Sequence, residues 1–344
     1  MLSDLIGNRR IKDVLTRLAA SERLPHSLLF VGDQGIGKKL FALEMARTLV
    51  CRSAKEGHAC GECASCKRAD KFTFPKSEDK DEYKKVIYSE HPDIGMVLPS
   101  GRNVVVDAVR DLEREANFRP YEAKARIFII DEADKMNDAA SNALLKTLEE
   151  PAATTYIFLI TSRPDSLLST IRSRCQVLRF APVETIEIES HLISKGKFET
   201  MDAALATRLS NGSVSRALSL DLKKFRAQRE AMLGVVSSVL RDDDRTVMLR
   251  ISERMNDAAN KDAYEETLNI LQIVIRDLWL VCIGDEEKVV NADILTELQE
   301  AAKNGRPDRL AGWERQIETM REGLAVNINR KIATDALFMQ MAAG

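Results

Sequence analysis

The sequence lacks the long apolar run that a membrane-spanning helix requires. No segment reaches the ~18 successive apolar residues that a bilayer span needs, and the N-terminal residues contain no basic stretch followed by an apolar core. A secretory signal peptide is therefore not expected. We expect a soluble, cytoplasmic chain that has no membrane partner.

An excess of charge of one sign is also missing. The 344 residues include 51 basic and 53 acidic side chains, which gives a net charge of −2. A protein that binds nucleic acid by itself carries a basic surface, so this balance argues against a stand-alone zinc and DNA-binding protein. We expect any contact with DNA to be local or shared with partner subunits.

The sequence also lacks cysteines spread along the chain, so its six cysteines fit a metal site in a reduced compartment better than a disulfide framework. Four of the six lie within sixteen residues, in the spacing C-x8-C-x2-C-x2-C: Cys51, Cys60, Cys63 and Cys66. Four thiolates at such spacing are typical of a closed, tetrahedral Zn²⁺ site with a structural role. His58 is a competing ligand, and an iron–sulfur cluster is a weaker alternative because the spacing matches neither common ferredoxin pattern. We expect Cys175 and Cys282 to be ordinary buried or half-buried thiols.

The apolar pattern of the first half of the chain indicates a parallel α/β sheet. Short apolar runs alternate with helical patterns there. The clearest strand candidates are Ser27–Val31, Arg126–Ile130 and Tyr156–Ile160. The second of these is apolar on both faces, so we expect it to lie inside the sheet.

The strand signals fade after residue 180, and the remaining pattern is helical. We therefore predict three domains. Residues 1–180 form an α/β domain with an inserted cysteine knuckle at 51–66, residues 181–222 form a small helical lid, and residues 223–344 form a C-terminal helical domain.

A phosphate-binding motif follows the first predicted strand. Residues 32–39 read Gly-Asp-Gln-Gly-Ile-Gly-Lys-Lys and precede a helical pattern, which is the context of the G-x-x-x-x-G-K-[ST] loop. Gly32, Gly35 and Gly37 would let backbone N–H groups surround phosphate oxygens, and Lys38 would reach the outer phosphates. A glycine-rich turn with a chance lysine is the less favoured interpretation.

The last position of this motif departs from the pattern. A serine or threonine there supplies a hydroxyl to Mg²⁺, whereas this sequence has Lys39. An ammonium group has no acceptor and cannot ligate a cation. We expect the phosphate cradle to survive and Mg²⁺-dependent hydrolysis to be impaired. An alternative is that Lys39 swings outward and water replaces the hydroxyl.

Polar residues at two strand ends and one basic turn are further candidates. Asp131 and Glu132 follow the second predicted strand, where a P-loop ATPase holds Mg²⁺ with the first acid and polarises the attacking water with the second. Thr161 ends the next strand, where a hydroxyl can sense the outer phosphate. Arg174, if exposed, can reach a neighbouring subunit's nucleotide as an arginine finger. Surface acids, a polar strand end and a solvated basic turn are the alternatives.

These motifs together resemble the bacterial clamp-loader branch of the AAA+ ATPases. The segments that carry the resemblance are Gly7–Asn8, Leu24–Phe30, the four-cysteine insertion, Ser141–Pro151, Ser173–Cys175 and Leu324–Lys331. The resemblance covers nearly the whole chain. It implies a Rossmann-like AAA+ domain, a lid, and a helical collar that drives assembly of a heteropentamer. It also implies that the partners are the tau/gamma and delta subunits and, through the complex, the sliding clamp and primed DNA.

The resemblance leaves a choice between two kinds of subunit, a tau/gamma motor that hydrolyses ATP and a stator whose ATP site is degenerate. Lys39 favours the stator. The second sensor of the motor has the form G-S-x-R-x-A, whereas here Ser215 stands at the arginine position. Arg216 follows one place later, about 100° further round a helix, and it stays a candidate nucleotide contact. We also expect no long polymerase-binding extension after Gly344.

The stator interpretation gives each predicted site residue a role. The resemblance implies that Arg174 acts in trans on a neighbouring motor subunit. Asp131 and Glu132 keep the acidic identities of a motor, so weak ATPase activity stays open and an active motor is the alternative. Zn²⁺ is the expected structural ion, and ATP with Mg²⁺ is the cofactor pair that Lys39 disfavours.

Overall fold

A six-stranded sheet lies at the centre of the N-terminal region. The computed structural model describes residues 2–21, 23–241, 246–257, 263–325 and 329–343. Within them the strands are β1 (Ser27–Val31), β2 (Ile87–Tyr88), β3 (Ile94–Val97), β4 (Arg126–Ile130), β5 (Thr155–Thr161) and β6 (Gln176–Arg179). The helices are α1 (Arg9–Ala20), α2 (Lys38–Val50), α3 (Ala64–Arg68), α4 (Val106–Ala116), α5 (Asp138–Glu149), α6 (Ser169–Arg172), α7 (Thr185–Ser194), α8 (Thr200–Ser210), α9 (Val214–Ser219), α10 (Leu222–Arg241), α11 (Thr246–Asn256), α12 (Tyr264–Cys282), α13 (Leu295–Ala302), α14 (Pro307–Ala325) and α15 (Arg330–Ala343).

The sheet has the order β2-β3-β4-β5-β1-β6. Every neighbouring pair is parallel except β2 with β3. All five residues of β4 are buried, which confirms the prediction of an inner strand. The other two predicted strands are confirmed as β1 and β5. β2, β3 and β6 were not predicted, because β2 has two residues and β3 and β6 have four each, too few to give a recognisable pattern.

Helices cover both faces of this sheet. On one face, Leu15 of α1 and Phe41 of α2 belong to the same apolar cluster as Ile129 of β4. On the other, Leu112 of α4 packs in a cluster with Ile130. Successive residues of a strand point to opposite faces, so β4 contributes side chains to both clusters. The predicted fold class, a parallel α/β sheet with an inserted cysteine knuckle and a helical C-terminal region, is confirmed.

The parallel arrangement brings three strand ends to one edge. The phosphate loop begins at Gly32 directly after β1, Asp131 follows β4, and Thr161 is the last residue of β5. β5 pairs with both β1 and β4. Ligands of open α/β sheets bind at the carboxyl edge of the strands, so the strand order assembles the candidate site.

The chain divides into two compact units. The first comprises residues 1–191 and 210–218, and the second comprises residues 192–209 and 219–344. The short helix α9 therefore clusters with the sheet up to Leu218. The three predicted domains, with boundaries at 180 and 222, stay a prediction.

The second unit is helical and has a polar network that runs from its apolar core to the surface. Arg229 donates two hydrogen bonds to Asp293, at 2.6 and 2.8 Å. Burial raises the pKa of the Asp277 carboxyl, which accepts hydrogen bonds from the backbone N–H groups of Val290 and Asn291.

Residues 326–328 of the predicted collar motif lie outside the described residues. In the described ranges, no helix combines the length and apolar character of a bilayer span.

Candidate functional site

The phosphate loop is built around three glycines with left-handed backbone conformations. Their φ angles are 154° at Gly32, 78° at Gly35 and 100° at Gly37, a region that residues with a Cβ rarely enter. Space excludes a side chain as well, because a Cβ on Gly35 would lie 2.3 Å from Oγ of Ser213. Gly37 is the N-cap of α2, so the loop leads directly into the positive end of a helix.

Lys38 turns back onto the phosphate loop. Its ammonium donates to the carbonyl oxygens of Gly32 at 2.5 Å and Asp33 at 2.6 Å, and its side chain is buried. Burial lowers the pKa of Lys38, while the negative charges of Asp131, Asp33 and Asp134 act in the opposite direction. Charged phosphate oxygens are stronger acceptors than neutral carbonyls. Phosphate oxygens can therefore replace the carbonyl oxygens of Gly32 and Asp33 as acceptors for the Lys38 ammonium.

Lys39 lies in front of the first acidic residue. Its Nζ is 3.1 Å from Oδ2 of Asp131, so the two side chains form an ion pair and Lys39 does not swing outward. The ring of Phe74 lies 5.2 Å from the same ammonium, within cation–π range, and Phe74 stacks on Phe72. The ammonium therefore neutralises the carboxylate that would bind Mg²⁺.

The second acidic residue is also paired with a lysine. Glu132 has φ of 47° at the turn after β4, and its Oε2 lies 2.5 Å from Nζ of Lys135. The sequence motif predicts that Asp131 holds Mg²⁺ and that Glu132 polarises the attacking water. Each of these carboxylates is paired with a lysine ammonium group.

The buried hydroxyl of Thr161 belongs to a hydrogen-bond network that the sequence did not predict. This hydroxyl donates to Oδ1 of Asp134 at 2.7 Å and accepts the backbone N–H of Arg163 at 3.0 Å. Arg163 also donates from Nε and Nη2 to Oδ2 of Asp134, at 3.0 and 2.9 Å. Burial alone would raise the pKa of Asp134, but the hydrogen bonds from Thr161 and Arg163 lower it. The predicted sensor hydroxyl therefore uses its proton within the fold.

The N-terminal end of α9 lies against the phosphate loop. The backbone N–H of Ser215 donates to the carbonyl of Gly35 at 3.0 Å, and Oγ of Ser213 accepts the N–H of Arg216 at 3.2 Å. Arg216 itself is exposed. Ser215, which stands at the sensor-arginine position, therefore contacts the phosphate loop through its backbone N–H. The sequence motif did not predict this contact.

Arg174 lies two residues beyond the end of α6, in the first unit. Its Nη1 donates to the carbonyl of Thr170 at 3.0 Å, and its Nη2 donates to Oε1 of Glu149 at 2.5 Å. The side chain is 34% exposed and that of Glu149 is 47% exposed. The guanidinium is therefore accessible from outside the subunit and is oriented by two acceptors from its own chain.

The four predicted cysteines come together in one cluster. Their sulfur atoms all lie within 4.8 Å of one another. The pairs Cys51–Cys60, Cys60–Cys66 and Cys51–Cys63 are 3.6, 3.9 and 4.0 Å apart. A Zn–S bond of about 2.3 Å in a tetrahedron places sulfur atoms ~3.8 Å apart, so the cluster has the dimensions of a four-thiolate zinc site. His58 is not part of this group.

Backbone N–H groups complete the surroundings of the sulfur atoms. The N–H groups of Cys60, Cys63 and Cys66 donate to the sulfur atoms of Cys51, Cys60 and Cys63, respectively. Burial opposes ionisation of Cys63, but the N–H groups of Cys66 and Arg52 lower the pKa of Cys63 to about 6. Such donors stabilise thiolates and are the outer contacts that orient metal ligands. The residues present therefore fit a metal ion of the zinc type.

The fold, the phosphate loop at the carboxyl edge of the sheet and the cysteine cluster define a class of protein. It is a P-loop α/β domain that carries a metal-type cysteine cluster and is followed along the chain by a helical unit. The sequence profile of the family described as "DNA polymerase III, delta subunit" matches residues 7–184, more than half of the chain. The chain belongs to this family, and the predicted resemblance to the clamp-loader proteins is confirmed.

Individual relatives extend the similarity over the whole chain. The DNA polymerase III subunit delta' of Bacillus subtilis (strain 168) is 28% identical over 97% of this chain and 96% of its own length. The subunit delta' of Escherichia coli (strain K12) is 29% identical over 92% of this chain and 88% of its own length. The tau/gamma subunit of Haemophilus influenzae is 25% identical over 99% of this chain, which matches 49% of that protein.

Proposed function

We propose that this chain acts as the delta' subunit of a bacterial DNA polymerase III clamp loader, the stator of a machine that places the sliding clamp on primed DNA. Its full-length similarity to proteins named delta' supports this function. The observation that carries the stator role is the ion pair between Lys39 and Asp131, 3.1 Å apart. In this role the neighbouring motor subunits, and not this chain, hydrolyse ATP.

The ammonium group of Lys39 opposes Mg²⁺ binding beside Asp131 electrostatically. Two unit charges of the same sign 4 Å apart repel by about 4 kcal/mol at the effective dielectric constant of a protein surface, and a divalent ion doubles this cost. Mg²⁺ seated beside Asp131 would have to displace Lys39 or accept that repulsion. The same ammonium is favourable beside an anion, so the loop retains the chemistry to hold phosphates without a metal.

The proposal is tested with ATP and the purified chain. We expect ATP turnover no higher than that of buffer, with or without Mg²⁺, because Asp131 and Glu132 are both paired with lysines. The measurement is release of phosphate under saturating ATP. Rapid turnover with Mg²⁺ that disappears in Lys38→Ala would show an active motor and contradict the stator role.

Arg174 is proposed as the finger that this subunit supplies in trans. Its guanidinium is accessible and can form bidentate contacts with phosphate oxygens. In a clamp loader reconstituted with the cognate motor and delta subunits, we expect Arg174→Ala to lower the rate of ATP hydrolysis several-fold without changing assembly. Arg172→Ala, which removes a neighbouring, partly exposed arginine paired with Asp165, is the matched control. Equal rates for the two variants would exclude the finger role.

The other parts of the chain receive supporting roles in the same proposal. Zn²⁺ is the ion proposed for the cysteine cluster, and the second unit is proposed to provide the collar that joins this subunit to tau/gamma and delta. The clamp and the primed DNA are reached through the complex. The balanced charge of the chain agrees with contacts to DNA that are shared among subunits.

A further inference from the structure

We propose that Glu149 is a positioning residue for Arg174, a role that rests on the proposed function of Arg174 as a finger. Nη2 of Arg174 donates to Oε1 of Glu149 at 2.5 Å, and Nη1 donates to the carbonyl of Thr170 at 3.0 Å. The two acceptors come from different elements, the last residue of α5 and the first turn of α6. Together they fix both the position and the plane of the guanidinium.

The place of Glu149 in the fold is not explained by helix stability. It is the last residue of α5, and Glu150 follows it. The carboxyl end of a helix carries partial negative charge, so acidic side chains are disfavoured there. Two successive acids oppose this preference, and a local rule broken in this way is expected where function requires it. In the part of the chain that the structure describes, Glu149 pairs with Arg174 while Glu150 has no ion pair.

The contact orients the arginine without trapping it. A free arginine side chain samples many rotamers, and ordering it on a neighbouring subunit would cost entropy at that moment. The contacts to Glu149 and Thr170 remove much of that freedom beforehand. A guanidinium has five N–H groups, so two contacts leave donors for a phosphate. Exposed ion pairs are weak, so a more highly charged triphosphate can compete with the carboxylate.

The test uses the clamp loader reconstituted with the cognate motor and delta subunits, in which ATP is titrated. Glu149→Gln keeps the size of the side chain and one acceptor oxygen but removes its charge. We expect kcat to fall about two- to fivefold, the weight of one exposed ion pair, with KM changed less than twofold, because a finger acts in the transition state. Glu149→Asp should recover part of the loss. Glu150→Gln, which makes the same charge change one residue away, should match the wild type.

Arg174→Ala separates the two levels of the proposal. If Arg174→Ala hydrolyses ATP at the wild-type rate, the finger role and this inference both fail. If Arg174→Ala is slow but Glu149→Gln is as fast as wild type or faster, only the positioning role is overturned. Adding Glu149→Gln to Arg174→Ala should cause no further loss. If Glu149→Gln lowered kcat equally in the wild type and in Arg174→Ala, its role would be structural and the inference would be overturned.

Discussion

Replacing Cys60 with serine is expected to reduce the zinc content from one ion per chain to none and to destabilise the first unit. Its sulfur lies 3.6 Å from that of Cys51 and 3.9 Å from that of Cys66, so a tetrahedral site loses one of four ligands. Structural zinc contributes its binding free energy to folding. The ion would connect the end of α2 to α3, and between Cys51 and Cys60 the buried residues are the small Gly57 and Ala59 alone.

The size of this effect follows from the same reasoning. A loss of several kcal/mol corresponds to a fall of Tm by roughly 5–10 °C for a unit of this length. Elemental analysis gives the zinc content, and thermal unfolding with and without a chelator gives the stability. Cys282→Ser, which replaces a half-buried thiol outside the cluster, should keep the ion. Wild-type protein that contains no zinc and is insensitive to chelators would show that the metal assignment is wrong.

The second large effect is expected for Lys39→Thr. This change restores a metal-binding hydroxyl and releases Asp131 from its ion pair. We expect the variant to bind ATP at least tenfold more tightly with Mg²⁺ than with a chelator, because an energy of about 1.4 kcal/mol, well below the repulsion that is removed, suffices for a factor of ten. The wild type should show no such gain. Calorimetric titration of the purified chain measures both affinities.

A matched variant distinguishes charge from side-chain size at this position. Lys39→Arg keeps a cation beside Asp131, so it should bind ATP with the same indifference to Mg²⁺ as the wild type. Two results would show that the ion pair does not control metal binding. In one, Mg²⁺ already raises the affinity of the wild type for ATP tenfold. In the other, Lys39→Thr binds ATP but Mg²⁺ does not raise its affinity. The proposed stator role would then lose its main support.

The features that could be predicted from the sequence are those formed by residues that lie close together along the chain. The phosphate loop needs glycines at fixed spacing because its backbone enters left-handed conformations, and Gly35 and Gly37 do so. The cysteine cluster needs close ligands along the chain, and Cys60, Cys63 and Cys66 form one short knuckle. The inner strand Arg126–Ile130 is apolar on both faces because helices cover both sides of the sheet.

The sequence by itself therefore determined the fold class, the loop, the thiol set and the substitution at Lys39. Only the tertiary structure decided what the charged groups do. Three contacts depend on which strands and helices become neighbours. They are the ion pair of Lys39 with Asp131, the hydrogen bond from Thr161 to Asp134, and the ion pair of Arg174 with Glu149. Such pairs join residues that are distant along the chain, and no local pattern encodes which acceptor a flexible side chain reaches once the sheet has brought several within range.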